Sequence, residues 1–144
     1  MAVKAVPEGY HSVTPSLVVK GAAEFIDFVK QAFGAEEVMR MPGPGGQIIH
    51  AEIRIGDSVV MLNDAQQQPP TTSSLFLYVT DVDDIYRRAV RAGAVSVSEP
   101  SNMFWGDRMA VISDRFGNQW SIATHVEDVP PQEMQRRAEA AMRQ

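Results

Sequence analysis

The 144-residue chain has no cysteine, which removes disulfides, thiolate metal ligands and thiol nucleophiles from consideration. It has no excess of basic charge either. Thirteen Lys and Arg stand against eighteen Asp and Glu, a formal net charge of −5, and binding to a phosphate backbone needs clustered cations. Nucleic acid is therefore not expected as a partner. No apolar run reaches the length of a membrane span, and the N-terminus lacks the apolar core of a signal peptide, so a cytoplasmic protein without membrane contact is expected. There is no phosphate-cradling loop, because Pro42-Gly43-Pro44-Gly45-Gly46 fits neither Walker nor dinucleotide spacing. No serine is flanked by nucleophile-elbow glycines, which leaves covalent catalysis without a visible carrier.

What the chain does have is enough apolar content, 44%, for one ordinary domain spanning residues 1–144. Its clearest stretch is Val111-Ile112-Ser113, the turn Asp114-Arg115-Phe116-Gly117-Asn118, and an alternating run from Gln119 to Ala123, which together read as a hairpin. Gly117 and Asn118 are the turn residues best able to take positive φ. Earlier, the pattern predicts a strand over Val13 to Val19 and a helix over Gly21 to Phe33, with Phe25, Ile26, Val29 and Phe33 on one stripe and Gly34 as the stop. Strands over Ala35 to Met41, Gln47 to Ile55 and Ser58 to Asn63 follow. Asp64 to Thr72, rich in Gln and Pro, reads as a linker. Then come a strand over Ser73 to Val79 and a helix capped by Asp81, with Ile85, Ala89 and Val90 inward and Gly93 as its stop. A strand over Ala94 to Glu99 and a turn at Pro100-Ser101-Asn102 lead into the hairpin. The tail from Pro130 reads as a helix with Pro131 at its start and Met134, Ala138 and Met142 on one stripe.

The order strand, helix, three strands thus occurs twice, and the copies align. Leu17-Val18-Val19 precedes Leu77-Tyr78-Val79 by 60 residues (77 − 17), Gly34 precedes Gly93 by 59 (93 − 34), and Val59 precedes Gln119 by 60 (119 − 59). An offset that stays within one residue across several elements points to a duplicated module, the first over about residues 13–63 and the second over about 73–126, followed by a tail at 127–144.

Two βαβββ modules of this length resemble the vicinal oxygen chelate superfamily of glyoxalases, bleomycin-resistance proteins and extradiol dioxygenases. Several segments resemble its PhnB-like branch more closely, among them Pro15 to Glu24, Phe33-Gly34-Ala35-Glu36-Glu37, His50 to Ser58, Phe104-Trp105-Gly106-Asp107-Arg108, Asp114 to Trp120 and Ala123-Thr124-His125. The resemblance implies an α+β fold: a curved, barrel-like mixed sheet with a concave cleft, plus the C-terminal helix. It also implies a homodimer that takes a small organic molecule.

Metal-dependent members place one ligand on the first and last strand of each module. By the register above those positions are Thr14, Met61, Ser74 and Ser121, none a His, Glu, Asp or Cys. The expectation is therefore no metal, no cofactor, and binding rather than catalysis. Alternation puts Thr14, Ser16 and Val18 on one side of the first strand, and Ser74, Phe76 and Tyr78 on the matching side of the fifth, with Met61 and Asn63 joining them as a pocket lining. Packing of Phe76 and Tyr78 between modules is the alternative. His50 and Glu52 point the same way and are the candidate catalytic pair, as a general base or half of a metal site, although a hydrogen-bonded pair that only steadies the sheet is the favoured reading. Trp105 and Arg108 are candidates for stacking and for an anionic group, with a loop-closing role as the alternative, whereas Trp120 has the parity of a core residue. His11 and His125 read as surface or packing histidines.

Overall fold

The first helical stripe becomes α1 (Ala22–Phe33), and Phe25, Ile26, Val29 and Phe33 are all buried on it. These features belong to a computed structural model that describes residues 3–66 and 68–143. Met1 and Ala2 at the N-terminus, Gln67 of the linker and Gln144 of the tail lie outside the described residues.

α1 lies over strands β1 (Ser16–Val19), β2 (Glu36–Pro42), β3 (Ile48–Ile55) and β4 (Ser58–Asp64), which form a sheet in the order β1-β4-β3-β2. β1 runs parallel to β4, as a helical crossover requires, and the other pairs are antiparallel. Leu17, Ala51, Ile53, Val60 and Leu62 form the buried face, and a short 3₁₀ turn (Pro44–Gly46) joins β2 to β3. β1 is shorter than predicted. It begins after Pro15, which has no N–H for the ladder but offers its carbonyl to the Met61 N–H at 2.9 Å.

The second copy repeats this plan. β5 (Ser73–Tyr78), β6 (Val95–Asn102), β7 (Asp107–Ser113) and β8 (Asn118–His125) form a sheet in the order β5-β8-β7-β6, with α2 (Val82–Arg91) between β5 and β6. Asp81 caps α2 by accepting the Asp84 N–H at 3.2 Å. Two predicted details differ. Val82 and Ala89 are the buried residues of α2 and Val90 is 40% exposed, because residue 90 sits about 80° around the helix from residue 82. β6 runs on through Pro100-Ser101-Asn102, where a turn was expected. As an edge strand it tolerates a proline, and its register shifts on either side of Ser98.

The fold is thus α+β: the described residues form two four-stranded mixed sheets and three α-helices, with no closed barrel among them. The third helix, α3 (Pro131–Met142), is the predicted tail helix, with Pro131 in its first turn. Contacts group the chain into two compact units, Met1–Ser73 with Arg115–Gly117, and Ser74–Asp114 with Asn118–Gln144.

Duplication also shows in a bond that residue identity hides. In the first unit Asp64, ending β4, accepts the Ala22 N–H at the start of α1 (2.7 Å) and the Ile48 N–H (2.8 Å). Sixty residues later (124 − 64) Thr124 of β8 accepts the Val82 N–H at the start of α2, 2.9 Å away. Each last strand therefore supplies the oxygen that satisfies an orphan N–H of its own module's helix.

Candidate functional site

In the first unit, strand register puts Ser16 and Glu52 opposite Met61, Met39 opposite Glu52, and Val18 opposite Asn63. These side chains share the face turned away from α1, as alternation predicts. Thr14 does not join them on a strand, because it precedes β1. Asn63 also lines a cavity of about 250 Å³ with Ile49, Asp64, Gln66 and Gln68. His50 and Glu52 meet, with His50 Nε2 2.8 Å from Glu52 Oε2. Tyr10, which precedes the first strand, donates its hydroxyl to the other carboxylate oxygen. The Glu52 side chain is 13% exposed and that of His50 35%, so a nearly buried carboxylate orients a half-exposed imidazole.

The denser cluster is in the second unit, around Asp107, which is 2% exposed. Tyr78 donates its hydroxyl to Asp107 Oδ2 at 2.9 Å, and Trp105 donates its indole N–H to the same oxygen at 3.0 Å. His125 Nδ1 lies 2.8 Å from Asp107 Oδ1, and its Nε2 lies 2.7 Å from Asp128 Oδ1. Beside this group Phe76 and Tyr78 stand on the face away from α2 with ring centroids 5.0 Å apart. They are 52% and 60% exposed, which leaves a wide aromatic surface with one buried anionic anchor. Ser74 is exposed on the same side of β5, and Ser121 stands opposite Val111, half-buried.

Burial alone would raise the Asp107 carboxyl, but the hydrogen bonds from His125, Tyr78 and Trp105 outweigh it and hold its pKa below the ordinary value. The bond to Asp107, then that to Asp128, holds His125 above the ordinary imidazole value, and the bond to Asp107 pushes Tyr78 up as well. The signs for stability follow. The Asp107 contribution is present above the unfolded carboxyl value and is lost as pH falls through the lowered folded one. The His125 contribution is present below the unfolded imidazole value and is lost as pH rises through the raised folded one. Asp107→Asn is therefore expected to bring the His125 pKa down toward about 6.5, followed by NMR titration of the ring protons. An unchanged titration would mean that the ring does not rest on Asp107.

Arg108 corrects the expectation that it works beside Trp105. It stands opposite Thr124, on the α2 side of the sheet, and grips Asp83 with Nε (2.8 Å) and Nη2 (3.0 Å) and Asn102 with Nη1 (3.3 Å). One residue along a strand reverses the face, so Asp107 and Arg108 work on opposite sides. Trp120 is 2% exposed, as its parity predicts. His125 is the residue sequence reasoning passed over. The signal was present: Ser113 pairs with Gln119 across the turn, and equal steps outward bring Asp107 opposite His125.

The positions inherited for a metal do not fit one. Met61 presents a thioether beside Glu52, Ser74 and Ser121 present hydroxyls, and Thr14 lies off the strand. Among the described residues no group of three or more His, Asp or Glu is placed to hold a metal ion.

The fold and the site define a duplicated βαβββ protein, and the chain belongs to the Glyoxalase/Bleomycin resistance protein/Dioxygenase superfamily, whose sequence model matches residues 10–122. An uncharacterized protein of Mycobacterium bovis is 41% identical over 136 residues, covering 86% of this chain and 90% of its own. Among solved structures, a PhnB protein from Bacillus cereus shares the fold with a TM-score of 0.64 at 16% identity, covering 79% of this chain and 99% of its own. TnmS3, an antibiotic binding protein from Streptomyces sp. CB03234, has a TM-score of 0.63 at 26% identity, covering 87% and 98%. No helix among the described residues is long and apolar enough to cross a membrane.

Proposed function

We propose that the protein binds a small, planar, largely apolar organic molecule on the aromatic face of its second unit, without a metal, and acts by holding it. The observation that carries this reading is the exposed Phe76–Tyr78 pair, whose Tyr78 hydroxyl and neighbouring Trp105 indole are both fixed by one buried carboxylate. Rings held this way have already lost their freedom before the ligand arrives, which lowers the entropy cost of stacking. Ser74 and Ser121 add hydroxyls for orientation, and in the first unit Ser16, Met61 and Asn63 form a mixed thioether and polar face of the same kind. The antibiotic-binding description of TnmS3 supports sequestration of a drug or metabolite. A cytoplasmic homodimer completes the reading. Val95 and Val97 on edge strand β6, 65% and 58% exposed, are the kind of apolar edge a second copy covers.

The dye 8-anilinonaphthalene-1-sulfonate, with its flat naphthalene ring, is a suitable aromatic probe. Saturable binding is expected, and Phe76→Ala or Trp105→Ala is expected to lose about 1–3 kcal/mol of it, the scale of a stacked aromatic contact. Arg108→Ala should leave the affinity unchanged, since that cation is spent on Asp83. Dye affinity that survives both aromatic truncations would sink the reading.

A second reading rests on the Tyr10–Glu52–His50 chain of bonds: an enzyme in which His50 acts as acid or base while Glu52 and Tyr10 position it. A chemical change in a bound compound that His50→Gln abolishes, with binding intact, would favour it.

A further inference from the structure

Trp105 sits between two backbone carbonyls, and the C-terminal segment holds both. On one side Arg137 of α3 donates from Nη1 to the Phe104 carbonyl at 3.1 Å. The same guanidinium grips Glu127 through Nη1 and Nη2, both at 2.9 Å, and reaches Glu133 through Nε at 3.1 Å. On the other side the Gly106 carbonyl accepts the N–H groups of Val126 (2.9 Å) and Glu127 (3.0 Å). The approach is so close that a Cβ at position 106 would meet the Glu127 carbonyl oxygen at 2.1 Å, and φ at Gly106 is +102. Only glycine allows both the conformation and the contact.

We propose that residues 126–142 form a clamp that sets the position of Trp105, with Arg137 as its positioning residue, and thereby sets how tightly the aromatic face of the second unit holds a planar ligand. The second half of this statement rests on the binding function proposed above; the first half stands without it. Arg137 is spent on Glu127, Glu133 and the Phe104 carbonyl. It acts because a planar, forked cation can fasten a carboxylate and a carbonyl at once, joining helix, loop and segment in one geometry. The superfamily's sequence model matches residues 10–122, and the clamp lies beyond that match. It can therefore tune the site while the shared sheets stay as they are.

The neighbouring arginine supplies the control. Arg136 pairs with Glu133 on its own helix and has no bond to the 104–106 loop. The test uses the full chain. Acrylamide quenching of tryptophan fluorescence reports Trp105, since Trp120 is buried. Binding of 8-anilinonaphthalene-1-sulfonate reports the site. Arg137→Gln is expected to raise Trp105 quenching and weaken the dye by about three- to tenfold, the range for a substitution that couples without contact. Arg136→Gln is expected to change neither. Glu127→Gln, which loosens the fork from its exposed end, should move both readouts in the same direction as Arg137→Gln, and it decides the matter if Arg137→Gln does not fold. Unchanged quenching in a folded variant that lacks the fork would overturn the clamp, and so would equal effects from Arg136→Gln. If the wild-type protein fails to bind the dye, the proposed function falls and quenching alone judges the clamp.

Discussion

Trp120→Ala is expected to lower the unfolding free energy by about 3–5 kcal/mol, the range for truncating a buried aromatic residue. Trp120 is 2% exposed, stands opposite Ile112 in the sheet, and lies on the α2 face with Ile122. Its indole N–H donates to Asp114 Oδ2 at 2.9 Å, so the substitution leaves a cavity and also takes a donor from a carboxylate that is 9% exposed. The same carboxylate holds the backbone and side-chain N–H groups of Asn118, both at 3.0 Å, which ties the loss to the turn between β7 and β8. Urea unfolding should show the midpoint falling with little change of slope. Trp105→Ala should keep a midpoint near that of the wild type and weaken dye binding instead. If the two tryptophans exchange these behaviours, the face assignments of the second sheet are reversed.

Phe116→Ala is expected to cost about as much, again about 3–5 kcal/mol, although Phe116 is at the tip of a hairpin. A tip residue facing water would stay within about 0.5 kcal/mol on substitution. Phe116 is instead 5% exposed. It meets Phe25 edge-on, with centroids 5.4 Å apart at 89°, and Phe28 at 6.2 Å, both on α1. Arg115 covers the ring from 4.5 Å. The tip Arg115–Gly117 thus belongs to the core of the first unit while its strands belong to the second. Amide exchange should show α1 losing protection in Phe116→Ala ahead of α2, and Phe116→Leu should restore most of it. A loss of protection confined to the β7–β8 turn would contradict the packing.

These two residues show how far the chain was legible. Trp120 could be assigned to the core because strand parity is a local rule, and local rules survive into the fold. Phe116 lies in the sequence Asp-Arg-Phe-Gly-Asn, where Gly117 takes the expected positive φ of +96. Turn chemistry predicts the bend but is silent on which element the ring will meet, since α1 is about ninety residues away. Asn118, the other residue credited with positive φ, stays out of that region, and its side chain is buried against Asp114.

The same division runs through the candidate site. Periodicity and glycine stops were enough for α1, and a 60-residue offset was enough for the duplication, because both depend on spacing along the chain. The face shared by Ser16, Met61 and Glu52, and the exposure of Phe76 and Tyr78, follow from alternation in the same way. Alternation also separates Asp107 from Arg108, whereas Arg108 was expected to serve an anionic group beside Trp105; only its pairing with Asp83 of α2 shows where the cation goes. Asp64 and Thr124 do one job with different side chains, which hides the equivalence from any comparison of residue types.

The sequence by itself determined the two modules, their helices and most strand faces. Each of these depends on residue type and local period. Tertiary structure alone decided that Tyr10 reaches Glu52, that Tyr78 and Trp105 converge on Asp107, and that Arg137 holds the Phe104 carbonyl. Those bonds join residues from 2 to 42 positions apart. Most span separate elements, and their partners are selected by where the packed sheets and helices place them, which no local period encodes.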